Sequence, residues 1–160
     1  MRHIISILME NESGALSRVA GLFSARGYNI ESLTVAATED PSLSRMTLVT
    51  RGSDRVIEQI TKQLNKLIDV VKLVDLTQGP HIEGELLMVK INVDEKGRDR
   101  FEQHITAYQG RVVDTTESNM TIEVTGNSEK LDKFIKAVGE NNILELVRSG
   151  VAGIGRGDRI

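Results

Sequence analysis

The chain has 160 residues, 39% of them hydrophobic, and no cysteine. That is enough apolar content for one ordinary domain or two small ones, and it excludes disulfides, thiolate metal sites and cysteine nucleophiles. With 20 basic and 23 acidic side chains the formal charge is −3, so no global field draws the protein to nucleic acid or an anionic membrane; no stretch approaches the length of a membrane-spanning helix, and a soluble, cytoplasmic protein is expected.

Residues His3 to Met9 read as a strand interrupted by Ser6. Asn11, Glu12 and Ser13 form a polar cap for a helix beginning near Gly14, where Leu16, Val19, Ala20 and Phe23 share one face until Gly27 ends it. The chain re-emerges at Asn29-Ile30 into a strand reaching Ala37, with Leu33 and Val35 on one side and Ser32, Thr34 and Ala36 on the other. Glu39-Asp40-Pro41 turns it, and Leu43 to Thr50 returns. Ser53 or Asp54 caps a second helix striped by Ile57, Ile60, Leu64 and Leu67, and Val70 to Leu76 is a β-branched run suited to a strand.

This βαββαβ order breaks at Gln78-Gly79-Pro80 and then begins again. Leu87, Val89, Ile91 and Val93 alternate as a strand; Phe101, Ile105 and Tyr108 mark a helix stopped by Gly110; Val112 to Thr116 and the alternating Met120, Ile122 and Val124 form two strands. Leu131, Phe134, Ile135 and Val138 line a helix, and Ile143 to Arg148 is the last strand. The pattern predicts an α+β fold of two tandem ferredoxin-like domains, residues 1–78 and 79–160, each an antiparallel sheet with both helices on one face. The other face is left open, and domains this small bury little surface, so a dimer or larger assembly is expected. Ser32, Thr34 and Ala36 are small enough for another subunit to approach closely. The glycine-rich tail, Ser149 to Ile160, lies outside the repeat and reads as flexible or ordered by a partner.

The site signals are local. A helix N-terminus offers unpaired N–H groups and a positive partial charge that suit a carboxylate. With Asn11 and Asn29 expected near one another, the segment reads as a small-molecule pocket. An ordinary cap at Asn11 and Gly14 and a turn at Asn29 explain the same residues, and spacing does not choose between them. RNA-binding modules of this topology stack bases on strand aromatics, whereas Phe23, Tyr28, Phe101, Tyr108 and Phe134 all fall within or at the ends of predicted helices. Gly153-Ile154-Gly155-Arg156-Gly157 resembles part of a phosphate loop but lacks the following helix. His3, His81 and His104 have no serine or cysteine at catalytic spacing, and no metal site or general acid–base constellation emerges.

The segments ENESGALSRVAGLFSARGYNIESLTVA, LSRMTLVT and RSGVAGIGRGD resemble the regulatory small subunit of acetohydroxyacid (acetolactate) synthase along essentially the whole chain. The resemblance implies an N-terminal ACT domain for effector binding and dimerisation, and a C-terminal ACT-like domain with a glycine-rich tail. It also implies a separate catalytic large subunit carrying thiamine diphosphate, Mg²⁺ and FAD, with no catalytic residue, cofactor or metal on this chain. The small subunit would activate that enzyme and confer feedback inhibition by L-valine in branched-chain amino acid biosynthesis. Carried onto this sequence, the effector site would comprise Asn11, Gly14, Ala15 and Leu16, with Asn29 and Ile30 from a neighbouring subunit. The competing readings are a stand-alone amino-acid-sensing ACT protein and a structural dimerisation protein.

Overall fold

Alternation along β1 (Arg2–Glu10) turns Ile5, Ile7 and Met9 to one side and Ile4, Ser6 and Leu8 to the other, and this division organises the first half of the computed structural model, which describes residues 1–159. The elements that follow are α1 (Ala15–Arg26), β2 (Ile30–Ala37), β3 (Leu43–Arg51), α2 (Asp54–Leu64) and β4 (Val70–Asp75). The strands pair antiparallel in the order β2-β3-β1-β4. Both helices lie on the Ile5, Ile7 and Met9 face, where Val19 and Phe23 of α1 and Ile57, Ile60 and Leu64 of α2 close one core with Met46 and Leu48. Burial at the helical spacing of those residues holds the helices to the sheet. Gly27 ends α1 in the left-handed region (φ 69°), donating to the Phe23 and Ser24 carbonyls, and the Ser53 hydroxyl caps α2 by accepting from Val56 N–H.

The repeat follows as β5 (His81–Asn92), α3 (Arg98–Ala107), β6 (Arg111–Thr115), β7 (Asn119–Gly126), α4 (Ser128–Val138) and β8 (Ile143–Arg148), in the sheet order β6-β7-β5-β8. Leu87, Val89 and Ile91 of β5 meet Phe101 of α3 and Leu131 and Phe134 of α4 in a separate core. Asn127 caps α4 through Lys130 N–H. Both ferredoxin-like units expected from the sequence are therefore present. Among the described residues no helix is long and apolar enough to cross a membrane.

The tail departs from expectation. One compact unit comprises Met1–Ile82 together with residues 151–159, and the other Glu83–Gly150. After Gly150 (φ 89°), Val151 is buried with Ile4, Val49 and Leu76, and β9 (Ala152–Gly155) pairs with β5. Val151 N–H donates to Ser32 Oγ (3.5 Å), and Gly153 N–H to Thr47 Oγ1 (3.2 Å). The Arg159 guanidinium then donates to the main-chain carbonyls of Asp75, Leu76 and Pro80. The last segment thus packs on the first unit, and the face of the first sheet away from the helices is covered there. The physical reason is the apolar row Ile4, Val49 and Leu76, which needs a cover. Gly153 permits the approach, since a Cβ there would lie 2.7 Å from Leu76 Cδ1. Ile160 lies outside the described residues.

Candidate functional site

Where β1 ends, the Asn11 N–H donates to the Ser42 carbonyl (2.7 Å) and its side-chain amide to the Pro41 carbonyl (3.1 Å). Asn11 is thus tied to the β2–β3 turn. The expected cap by Asn11, Glu12 and Ser13 is not formed: Gly14 is the N-cap, at φ 85°, with no side-chain cap bond. The chain must reverse between the end of β1 and α1, and the left-handed conformation that accomplishes this favours glycine. The first-turn N–H groups of a helix have no intrahelical acceptor, and here Ala15 N–H donates to the Glu12 carbonyl (3.2 Å).

A pocket of about 240 Å³ opens beside this turn, lined by Asn11, Ala15 and Leu16 from the predicted set and by Met9, Val35 and Ala36. Most of its walls are aliphatic, but the acidic Glu10 and Glu12 line it as well, and Gly14 of the predicted set does not. Leu16 is 44% exposed although it is a leucine at a helix start, so apolar surface remains uncovered there. With its nitrogen donating to Pro41, the Asn11 side chain keeps Oδ1 as an acceptor.

One turn into α1, Arg18 reaches back past Gly14, and its Nε and Nη2 donate to the two carboxylate oxygens of Asp69 (2.6 and 3.1 Å). This bidentate pair lowers the Asp69 pKa through the Arg18 hydrogen bond and raises that of Arg18. Asp69 is buried, and its carbonyl accepts from Glu10 N–H (2.8 Å). The pair therefore ties the start of α1 to the start of the edge strand β4 and, through the Asp69 carbonyl, to the end of the inner strand β1. Sequence reading passed over it because the partners stand 51 residues apart.

Asn29 and Ile30 are elsewhere. The Asn29 carbonyl accepts from Thr50 Oγ1 (2.6 Å) and Ile30 pairs with Thr50, whereas Glu10 at the Asn11 end pairs with Leu43. From Leu43 to Thr50 is about 24 Å of strand at roughly 3.4 Å per residue. Within one chain the two asparagines thus lie at opposite ends of the sheet, against the expectation that they adjoin. The antiparallel register decides this: α1 carries the chain back along the sheet before β2 begins.

A further polar group was unmarked by any motif. Buried His3 places Nδ1 2.9 Å from Asp75 Oδ2 and 3.1 Å from Thr77 Oγ1, closing the junction of β1 with the end of β4.

With this geometry in place, comparison with known proteins is decisive. Residues 5–72 match the AHAS small subunit-like ACT domain, and residues 84–157 match the model described as the small subunit of acetolactate synthase. The acetolactate synthase isozyme 3 small subunit of Escherichia coli K12 is 53% identical over 161 aligned residues, covering 100% of this chain and 99% of the relative. The chain belongs to the acetolactate synthase small-subunit family. A probable acetolactate synthase small subunit of Methanothermobacter thermautotrophicus is 49% identical over 98% of this chain and 94% of the relative. The crystal structure of the acetolactate synthase small subunit from Thermotoga maritima superposes with a TM-score of 0.89 at 34% identity, covering 99% of each chain. The first ferredoxin-like unit is accordingly the ACT domain of a regulatory small subunit, and the pocket beside Asn11 lies in it.

Proposed function

We propose that this small subunit activates the catalytic subunit of acetolactate synthase and confers feedback inhibition by L-valine, acting as a homodimer that binds the effector across its subunit interface. The observation that carries this reading is the split of the expected site: Asn11, Gly14, Ala15 and Leu16 stand at one end of the first sheet, Asn29 and Ile30 at the other. β2 is the edge strand of that sheet, and it has neither lysine nor proline along its length to discourage pairing. Antiparallel pairing of two β2 edges about a twofold axis between Leu33 and Thr34 sets Ile30 of one copy opposite Ala37 of the other. Asn29 of the second copy then arrives beside Asn11 of the first. Two complete sites result, one at each end of the joined sheet.

In such a site the backbone N–H groups of Gly14 and Leu16 receive the amino acid's carboxylate, that of Ala15 being engaged by the Glu12 carbonyl, each charge-assisted bond contributing about 1.5–3 kcal/mol. The Asn11 and Asn29 side-chain oxygens accept from the ammonium, while Leu16 and Ile30 enclose the branched side chain. Because the site is complete only in one arrangement of two copies, the ligand favours that arrangement. A coupling of about 1–3 kcal/mol to the catalytic subunit suffices for feedback. The thiamine diphosphate, Mg²⁺ and FAD of the reaction belong to that catalytic partner, in the cytoplasm.

Calorimetric titration of L-valine, with D-valine and L-aspartate as controls, tests binding, and mixed dimers test its geometry. Asn11→Ala and Asn29→His chains should each lose valine binding alone. After mixing, random pairing should restore about a quarter of the sites, because one site of each heterodimer is intact. No restoration on mixing would place both asparagines in separate sites or in none, and an absence of L-valine binding in the presence of the catalytic subunit would refute the effector reading.

A further inference from the structure

On the side of the first sheet away from the helices, the side chains form rows across the strands. Thr34, Thr47, Ser6 and Val74 make one row, and Ala36, Arg45, Leu8 and Lys72 the next. The C-terminal segment covers the rows nearer Leu76 and stops short of the Arg45 row. Under its edge lies a cavity of about 290 Å³, floored by Val74 and Leu76 and walled by Arg45, Ser6 and the glycines Gly155 and Gly157. It lies on the opposite face of the sheet from α1 and has no residue in common with the pocket beside Asn11.

The charges on its wall are of one sign. Arg45 and Arg159 are the ionisable groups lining the cavity among the described residues. Arg159 spends three of its five donors on carbonyls of the Asp75–Pro80 turn. Arg45 donates to the buried Ser6 hydroxyl (3.2 Å) and makes no other hydrogen bond or ion pair among the described residues. A guanidinium has five N–H donors in a planar fork suited to a carboxylate, so most of this one remains available. The floor is aliphatic. At 290 Å³ the volume stands near the small end of the roughly 300–1,000 Å³ typical of ligand sites.

We infer that this cavity is a second small-molecule site, taking a short aliphatic carboxylate that lacks an ammonium group. The carboxylate is received by the Arg45 fork and the hydrocarbon chain rests on Val74 and Leu76. A free amino acid is a poor occupant: its ammonium would enter a wall that, among the described residues, carries two cations and no carboxylate, losing hydration without an ionic partner there. The two pockets therefore discriminate by opposite chemistry, and this site stands whether or not the proposed valine site does. Because the glycine segment forms one wall, the occupant also holds the C-terminal segment against the first unit.

The test is amide and arginine-side-chain NMR of the full chain, titrated separately with 3-methyl-2-oxobutanoate, 3-methylbutanoate and L-valine. Saturable shifts at the Gly153, Gly155 and Gly157 amides and at Arg45 Nε with either acid are expected, weakened about tenfold or more in Arg45→Gln. Arg45 is exposed on β3, so that variant should keep the remaining spectrum, which reports directly on folding. Tighter binding of the oxo acid assigns a 2-oxo acid as the occupant; equal binding of the two assigns a simple aliphatic acid. The proposal is overturned by the absence of saturable shifts with both acids, by equal affinity in Arg45→Gln, or by L-valine moving the same amides as strongly.

Discussion

Gly14 bears both on the stability of the first unit and on the proposed effector site, and substitutions there separate the two. Its φ of 85° is a conformation that L-residues adopt at a cost of about 1–2 kcal/mol, with asparagine the most tolerant exception. An added Cβ would lie 2.9 Å from the Arg18 guanidinium, a flexible tip that moves aside only by disturbing its bidentate pair with Asp69. Gly14→Ala should therefore destabilise the first unit by about 1–2 kcal/mol, and each kcal/mol lowers the melting temperature of a domain this size by about 4–8 °C. Gly14→Asn should lose less. Gly14→Asp has nearly the same shape as Gly14→Asn but sets a carboxylate against that of the ligand. On the proposed function it should weaken L-valine by more than tenfold relative to Gly14→Asn, about 1.4 kcal/mol or more. Scanning calorimetry and L-valine titration on the three variants, followed by inhibition of the reconstituted synthase, make the comparison. An alanine variant as stable as wild type would refute the backbone argument. Equal valine affinities for the Asn and Asp variants would refute the placement of the ligand carboxylate.

Three further outcomes rest on packing and charge. Phe134 is fully buried between α4 and β5, so Phe134→Ala should cost about 3–5 kcal/mol in denaturant unfolding of the second unit. Arg148 donates to buried Glu85 (2.6 and 2.9 Å) and to Asp132 (2.8 Å), and its pKa is raised, the two carboxylates outweighing the cost of its partial burial. Arg148→Met leaves the Glu85 carboxylate without its cation and should cost about 1–3 kcal/mol, with much of that loss relieved in the double variant with Glu85→Gln, as measured by a double-mutant cycle. The depressed Asp69 pKa means that the native state holds fewer protons than the unfolded chain in the acid range. The stability contributed by its pair with Arg18 is thus complete above the ordinary carboxylate pKa and disappears as pH falls through the lowered native value. Asp69→Asn should flatten the acid limb of a stability–pH curve, and an unchanged limb would remove Asp69 as a source of acid sensitivity.

Periodicity alone was sufficient for the two βαββαβ units, because alternation in strands and the three-to-four spacing in helices follow from each element's burying one face. Val19 and Phe23 on α1, or Leu131 and Phe134 on α4, announce a core wherever the rest of the chain lies. Asn11, Gly14 and Leu16 were legible for the same reason, as a local turn into a helix. Which residue took the cap was not: the reversal required a left-handed backbone, so Gly14 displaced the side-chain caps that Asn11 and Ser13 offered. The separation of Asn29 from Asn11 was also hidden, since 18 positions of sequence do not reveal to which end of a sheet a helix returns the chain. Strand register decides that. The Arg18–Asp69 and His3–Asp75 pairs join residues brought together only by strand pairing, and the glycine tail carries too few apolar side chains to declare a partner. Its place on the first sheet was set by Ile4, Val49 and Leu76, an apolar row 75 and more residues away from Val151 in sequence, whose demand for cover exists only once three strands have been laid side by side.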